Sequence, residues 1–257
     1  MERIIGIVGA GVMGIGIAKA FAAKYNVILC DNRTINQDLL AGFDIRFTND
    51  LKDLAFCSLV IEAIYEDYNA KINLYKMLQS ILKPNAIICS NTSSLSINDL
   101  ANGINNPKRF FGMHFMNPAN KNNLVELIPS DSTDKGCLDT AIEILTSIEK
   151  NPIIAKDSPG FIVNRILIPM INDAINLYES GIASKEDIDK AMKIAAKHPI
   201  GPLELADMIG LDIILNIMNN FYAKLKTDRY KPSNLLIKMV KNNKIGKKVN
   251  EGFYIYD

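Results

Sequence analysis

Short apolar runs alternate with helical patterns through the first part of the chain. Helices are expected up to Tyr25 and again over residues 68–82 and 134–149. Buried strands are predicted where apolar residues run together, at residues 4–8, 27–31, 59–63, 86–90, 110–114, 125–129 and 153–155. This alternation is typical of an α/β fold with a doubly wound, mostly parallel sheet, in which ligands bind at the carboxyl ends of the strands.

After Asp157 the pattern changes to helices only. Gly181 is a plausible helix end, while Ser184 and Pro202 are typical of helix starts. A helical stripe of apolar residues precedes them, formed by Ile166, Met170, Ala174 and Leu177. The sequence therefore predicts two domains, an α/β domain over residues 1–157 and an all-α domain over residues 158–257.

A glycine-rich turn follows the first predicted strand. Residues 9–14 read GAGVMG, and Asp31 ends the second strand, 22 positions after Gly9. In a strand, turn and helix context this pattern predicts a Rossmann-type dinucleotide site, in which the glycines admit a pyrophosphate and the acid binds a ribose. A glycine-rich packing turn is the alternative, but it leaves Asp31 unexplained. The expected cofactor-binding residues are Gly9, Gly11, Val12, Met13, Gly14 and Asp31.

Composition narrows the range of partners. The 257 residues carry 29 basic and 28 acidic side chains, and no basic block suggests a nucleic acid or a membrane surface as partner. A small-molecule partner is expected. The four cysteines lack CxxC spacing, so no metal site is expected, and we anticipate a reduced, cytoplasmic protein.

The uncharged residues 4–18 also resemble a secretory signal peptide. Five glycines interrupt this run, and three of them, Gly9, Gly11 and Gly14, are the glycines of the dinucleotide turn. We therefore prefer the cofactor site to the signal peptide.

Several segments, taken in order, closely resemble the 3-hydroxyacyl-CoA dehydrogenase family, especially its bacterial 3-hydroxybutyryl-CoA dehydrogenases. The resemblance covers nearly the whole chain. It rests on GAGVMGIGIA, VIEAIYED, SNTSSLS, GMHFMNP, LVEL, SPGFIVNR, HPIGPLELADMIGLD and GKKVNEGFYIY. It implies a Rossmann-type NAD-binding domain followed by a helical domain for substrate binding and dimerisation. It also implies an acyl-CoA substrate, NAD as cofactor and a homodimer.

Matched position by position, the family's catalytic histidine falls on His114 and its partner glutamate on Glu126. The family's contacts to the substrate oxygen fall on Ser93 and Asn164. Its further cofactor contacts fall on Glu66, Lys71, Ser93, Asn117 and Lys248.

The chemistry of alcohol oxidation agrees with these assignments. Hydride transfer from a secondary alcohol requires a base for the hydroxyl proton, and imidazole titrates near neutral pH. A carboxylate on the other ring nitrogen fixes the tautomer and stabilises the imidazolium. Without the surrounding motifs, a satisfied histidine at a strand end would be the favoured interpretation of His114; with them, a catalytic base is favoured. We interpret His198, near a predicted helix end, as structural.

Two departures from the family pattern concern the substrate. Only residues 32–58 separate Asp31 from the next predicted strand, where the family usually has a longer helical arm that contacts coenzyme A. The segment after Pro118 is polar, and Met116 replaces a phenylalanine. Three hypotheses remain: an NAD-dependent 3-hydroxyacyl-CoA dehydrogenase, the same chemistry on a substrate without coenzyme A or with coenzyme A held differently, and a non-catalytic nucleotide-binding protein.

Overall fold

The computed structural model describes residues 3–256 and divides them after Phe161 into two compact units. The first unit carries all eight strands found in the described residues, and the second is helical. The sequence predicts the boundary between the two domains near residue 157, four residues before this division.

Residues 3–161 form one sheet in the order β3-β2-β1-β4-β5-β6-β7-β8. The first six strands run parallel to their neighbours, β7 is antiparallel to β6, and β8 is parallel to β7. This is the predicted doubly wound arrangement with an added antiparallel edge. The strands are β1 Ile4–Val8, β2 Asn26–Cys30, β3 Ile45–Thr48, β4 Leu59–Glu62, β5 Ile87–Ser90, β6 Phe110–Phe115, β7 Leu124–Pro129 and β8 Asn151–Ile154.

Two apolar cores lie on opposite faces of this sheet. Ile61 joins one core and its neighbour Val60 joins the other, because successive residues of a strand point to opposite faces. Both faces are covered, which explains why the strands are nearly continuous apolar runs. The covering helices are α1 Val12–Ala22, α2 Tyr68–Ile81, α3 Ile97–Ala101 and α4 Lys135–Ser147.

The segment between β2 and β4 differs most from the sequence expectation. It contains β3, which pairs in parallel with β2 and was not predicted. The remainder of residues 32–58 forms short 3-10 turns at Gln37–Leu40 and Leu51–Leu54, and no α-helix lies in this range. β3 escapes prediction because it is a four-residue edge strand interrupted by the exposed Arg46.

The second unit packs five α-helices in residues 162–256. They are α5 Val163–Glu179, α6 Lys185–Ala195, α7 Pro202–Ile209, α8 Leu211–Leu225 and α9 Asn234–Lys241. Ser184 caps α6 by accepting from the backbone N–H of Asp187, and Gly181 follows α5 with φ of +69°. The described residues contain no helix that is both long and apolar enough to cross a membrane.

The predicted stripe on α5 is only partly the buried face. Ala174 is buried, but Ile166 is 67% exposed and Leu177 is 42% exposed. Burial follows Ile168, Ile171 and Ile175 instead. The helix is apolar on two faces, and its own unit covers one of them.

Asp207 fastens the end of the chain to α7. Its buried carboxylate accepts from the backbone N–H groups of Phe253 and Tyr254 at 2.9 and 2.8 Å and from the hydroxyl of Tyr256 at 3.0 Å. Burial raises the pKa of Asp207 despite these donors. The anchored segment also carries Lys248.

We expect Asp207→Ala to lower the free energy of unfolding by about 2 to 4 kcal/mol, because it leaves buried N–H groups without an acceptor. Urea denaturation measures the loss. Asp212→Ala is the matched control, since Asp212 only forms an exposed ion pair with Lys248 and exposed pairs contribute about 0 to 1 kcal/mol. Equal losses in the two variants would contradict this role for Asp207.

Candidate active site

The glycine turn joins β1 to α1 and leaves space in front of it. A Cβ on Gly9 would lie 2.6 Å from the carbonyl oxygen of Ala63, and one on Gly14 would lie 1.7 Å from that of Gly9. A Cβ on Gly11 would meet no atom within 4 Å, and no side chain caps the helix that starts at Val12. Val12 is exposed and Met13 is partly buried. Open space at an uncapped helix N-terminus fits a pyrophosphate.

Asp31 lies beside this turn at the end of β2. Its carboxylate accepts from the backbone N–H of Ala10 at 2.7 Å and of Arg33 at 2.9 Å. Burial on its own raises the pKa of Asp31, but these donors and the Arg33 charge outweigh it, so the pKa is lowered. The glycine turn and an anionic Asp31 together fit a dinucleotide, and the negative charge disfavours a 2′-phosphate.

The loop after β5 carries Ser93, and Glu66 holds this loop. The Oε1 atom of Glu66 accepts from the Thr92 hydroxyl at 2.5 Å and from the backbone N–H groups of Ser93 and Ser94 at 3.0 Å each. Burial alone raises the pKa of Glu66, but the charge of Lys71 and these donors lower it. Glu66 keeps 33% of its side chain exposed, so it is still accessible to a ligand.

Lys71 is placed differently from the sequence prediction of a direct cofactor contact. Its side chain is 1% exposed, and its ammonium lies 2.5 Å from Glu62 and 3.3 Å from Glu66. All the hydrogen bonds and ion pairs of its ammonium are therefore with groups of the protein itself.

His114 and Glu126 are direct neighbours across the β6–β7 pair. The antiparallel register places them opposite each other, so their side chains share one face of the sheet. Nδ1 of His114 lies 2.8 Å from Oε2 of the fully buried Glu126. The Phe161 ring packs edge-on against the imidazole, with centroids 5.5 Å apart. Nδ1 is thus committed to the carboxylate, and Nε2 is the nitrogen left for a substrate.

Asn117 follows β6 in an exposed loop that begins with a cis Asn117–Pro118 bond. Lys150 anchors this loop, because its buried ammonium donates to the carbonyl oxygens of Ala119 at 2.9 Å and Asn122 at 2.7 Å. Burial lowers the pKa of Lys150. The loops after β5 and β6 are also joined, since the Asn91 side chain accepts from the backbone N–H of Phe115 at 2.8 Å.

Two predicted site residues belong to the helical unit. Asn164 is the second residue of α5 and is partly buried. Lys248 donates to both carboxylate oxygens of Asp212 at 2.6 Å.

Comparison with known proteins identifies the family. The NAD binding domain of 3-hydroxyacyl-CoA dehydrogenase matches residues 36–158, and the C-terminal domain of the same enzymes matches residues 160–256. The chain belongs to the 3-hydroxyacyl-CoA dehydrogenase family. NAD is accordingly its cofactor, and the predicted family and fold are confirmed.

Similar proteins match along their whole length. A 3-hydroxybutyryl-CoA dehydrogenase of Clostridioides difficile is 40% identical over 98% of this chain and 99% of its own. A probable 3-hydroxybutyryl-CoA dehydrogenase of Deinococcus radiodurans is 41% identical over 98% and 99%. The crystal structure of (S)-3-hydroxybutyryl-CoA dehydrogenase PaaH1 from Ralstonia eutropha is 38% identical, covers 100% of both chains and has a TM-score of 0.93.

This member of the family is shorter than its relative. The Clostridioides difficile alignment spans 278 positions, whereas this chain supplies at most 257 residues to it, so the relative carries residues that this chain lacks. The helix-free segment 32–58 is consistent with a loss at that place.

Sequence reasoning missed several residues that hold the site together. Glu62 and Lys150 are charged side chains that are buried, and Phe161 packs on the histidine. The sequence offers one clue to them. Glu62 ends the apolar run LVIE, and a charge buried at the end of such a strand needs a partner.

We expect Gly11→Ala to fold with wild-type stability but to bind NADH about tenfold more weakly or worse, because the methyl group enters space left for the pyrophosphate. NADH fluorescence titration and thermal unfolding measure the two effects. Gly14→Ala should instead unfold the turn, since its Cβ collides with the backbone. Unchanged NADH affinity in Gly11→Ala would show that the cofactor lies elsewhere.

Proposed function

We propose that this chain catalyses the reversible, NAD-linked oxidation of an (S)-3-hydroxyacyl-CoA to the 3-oxoacyl-CoA, with 3-hydroxybutyryl-CoA as the preferred substrate. The observation that carries the proposal is the buried His114–Glu126 pair on a sheet whose glycine turn fits a dinucleotide. The carboxyl ends of β1 and β6 lie at the same edge because these strands are parallel. The similar 3-hydroxybutyryl-CoA dehydrogenases support the choice of substrate.

His114 acts as the base in this reaction. Bound NAD supplies the acceptor for the hydride that leaves C3 of the substrate. Nε2 of His114 takes the proton of the C3 hydroxyl group as the carbonyl forms. Glu126 holds the Nδ1 proton and stabilises the imidazolium that results. In the reverse direction the imidazolium returns the proton to the oxygen.

The remaining site residues bind and orient. We propose that Ser93 contacts the substrate oxygen, and we assign the same contact to Asn164 because that is its role in the family. We assign the cofactor to Asp31, Glu66 and Asn117, together with the turn residues Gly9, Gly11, Val12, Met13 and Gly14. We assign Lys248 its family role as a cofactor contact. To bind the cofactor, its ammonium would have to leave the ion pair with Asp212.

A second candidate is the same reaction on a substrate whose coenzyme A part is weakly held. It is favoured by the lack of an α-helix in residues 32–58. A non-catalytic protein is disfavoured, because a buried glutamate bonded to a histidine is expensive to maintain without a role for the pair.

We expect His114→Gln to bind NADH normally but to lose about 10²- to 10⁴-fold in kcat, the usual contribution of a general base. The readouts are NADH titration and NADH oxidation with acetoacetyl-CoA. His198→Gln changes the other histidine in the same way and should keep wild-type kcat. A normal kcat in His114→Gln would assign the base to another residue.

We expect acetoacetyl-CoA and its pantetheine thioester to be reduced with kcat/KM values within about tenfold of each other, because the remote nucleotide contributes little binding energy. Steady-state NADH oxidation compares them. A much larger advantage of the full coenzyme would show that other residues replace the missing arm. If neither is reduced, the thioester function is wrong.

We also propose a homodimer formed through the helical unit. Ile166, Leu177 and Ile182 of this unit are 67%, 42% and 70% exposed, and a second copy of the chain would cover such large apolar side chains. A cytoplasmic location is proposed because the four cysteines are buried free thiols, which is typical of a reducing compartment.

Light scattering should therefore give twice the chain mass of 28.5 kDa. Ile166→Lys should shift the protein towards monomer, while Met77→Lys, on an exposed apolar residue of the sheet domain, should not. A monomeric wild type at micromolar concentration would refute the dimer.

A further inference from the structure

A buried polar cluster lies beneath the loop that carries Ser93. Its members are Glu62 at the end of β4, Lys71 and Tyr75 on α2, and Ser90 at the end of β5. None of these side chains is more than 1% exposed. The proposed reaction uses Glu62, Tyr75 and Ser90 in no step.

Glu62 is fully supplied with donors. Its Oε1 accepts from the Lys71 ammonium at 2.5 Å and from the backbone N–H of Ile64 at 2.8 Å. Its Oε2 accepts from the hydroxyls of Tyr75 and Ser90 at 2.7 Å each. Burial and the Glu62 charge raise the pKa of Tyr75 well above its usual range, so that hydroxyl remains a donor. The carboxylate therefore has one fixed orientation.

That orientation fixes Lys71. Its ammonium donates to Glu62 at 2.5 Å and to the carbonyl oxygen of Ile64 at 3.4 Å, and it forms an ion pair with Glu66 at 3.3 Å. Lys71 thus sits between two carboxylates, with the shorter contact to the deeper one. The position of Oε2 of Glu66 follows from this arrangement.

Glu66 completes the connection to the loop. Oε2 of Glu66 faces Lys71, and Oε1 accepts hydrogen bonds from the Thr92 hydroxyl and from the backbone N–H groups of Ser93 and Ser94. A continuous path of ion pairs and charge-assisted hydrogen bonds therefore runs from Glu62 through Lys71 and Glu66 to Ser93.

We propose that Glu62, oriented by Tyr75 and Ser90, is a positioning residue that sets the Thr92–Ser94 loop for the nicotinamide end of the cofactor. The inference rests on the proposed function, because it takes Ser93 to lie beside the reacting groups. Stability alone does not call for such a cluster, since a buried ion pair is often no more stabilising than apolar side chains of the same volume. Orientation of the loop is what apolar replacements would lose.

The effect should be confined to one end of the cofactor. The adenosine side is assigned to Asp31 after β2, whereas the cluster and its loop lie at β4 and β5, on the other side of β1. NADH and ADP-ribose share the adenosine and pyrophosphate groups but differ in the nicotinamide. The ratio of their dissociation constants therefore reports on the loop.

The test compares Glu62→Gln, Tyr75→Phe and Ser90→Ala with the wild type by calorimetric titration of NADH and of ADP-ribose. Glu62→Gln should weaken NADH about tenfold and ADP-ribose less than about twofold, with kcat for acetoacetyl-CoA lowered as well. Tyr75→Phe and Ser90→Ala should change the ratio in the same direction by a smaller factor. Tyr25→Phe is the matched control, because it removes one 2.7 Å hydrogen bond to Ser147 elsewhere in the same unit.

A purely structural cluster would lower thermal stability and leave the ratio of the two dissociation constants unchanged, which would overturn the proposal. If Glu62→Gln does not fold, Tyr75→Phe decides the question, since it removes only one of the four donors. The binding ratio is measured without turnover. A wild type inactive on every thioester would therefore refute the proposed function. The ratio of the NADH and ADP-ribose dissociation constants would still show whether Glu62 positions the loop.

Discussion

The antiparallel pairing of β7 with β6 is the constraint on which the site depends. It sets Glu126 directly opposite His114 and buries the carboxylate completely. A slip of one residue would turn Glu126 to the opposite face of the sheet and leave the imidazole without its partner. The parallel strands end at the edge that carries the glycine turn, and β7, which with β8 runs opposite to them, supplies the acid bonded to the imidazole. His114 and Glu126 are twelve positions apart in the sequence, and the register of the two strands brings Nδ1 and Oε2 within 2.8 Å of each other.

The same physical device recurs after two other strands of the sheet, β2 and β4. Asp31 after β2 binds the backbone of the glycine turn, and Glu66 after β4 binds the backbone beside Ser93. In both cases a carboxylate takes N–H groups of a neighbouring loop, which lowers its pKa and fixes that loop. The loops at this edge are therefore held by charge-assisted bonds before any ligand arrives, so less ordering is needed on binding.

The sequence predicted the parts of this arrangement that follow local rules. The glycine turn and most strands were recognisable because their patterns are short-range and apolar. β3 was missed because a short edge strand with a charged residue lacks such a pattern. For Lys71 the family resemblance predicted a cofactor contact, and nothing in the sequence reveals that Glu62 and Glu66 meet its side chain in the interior. The covered face of α5 was likewise set by packing, not by its apolar stripe.

In the proposed mechanism, Glu126 holds the proton of Nδ1 so that Nε2 of His114 acts as the base. NMR of the enzyme with isotope-labelled histidine tests it most directly, because the chain has only two histidines and His198→Gln assigns the second signal. In the neutral imidazole we expect the His114 proton to lie on Nδ1 and Nε2 to be unprotonated. A His114 ring protonated on Nε2 would contradict it.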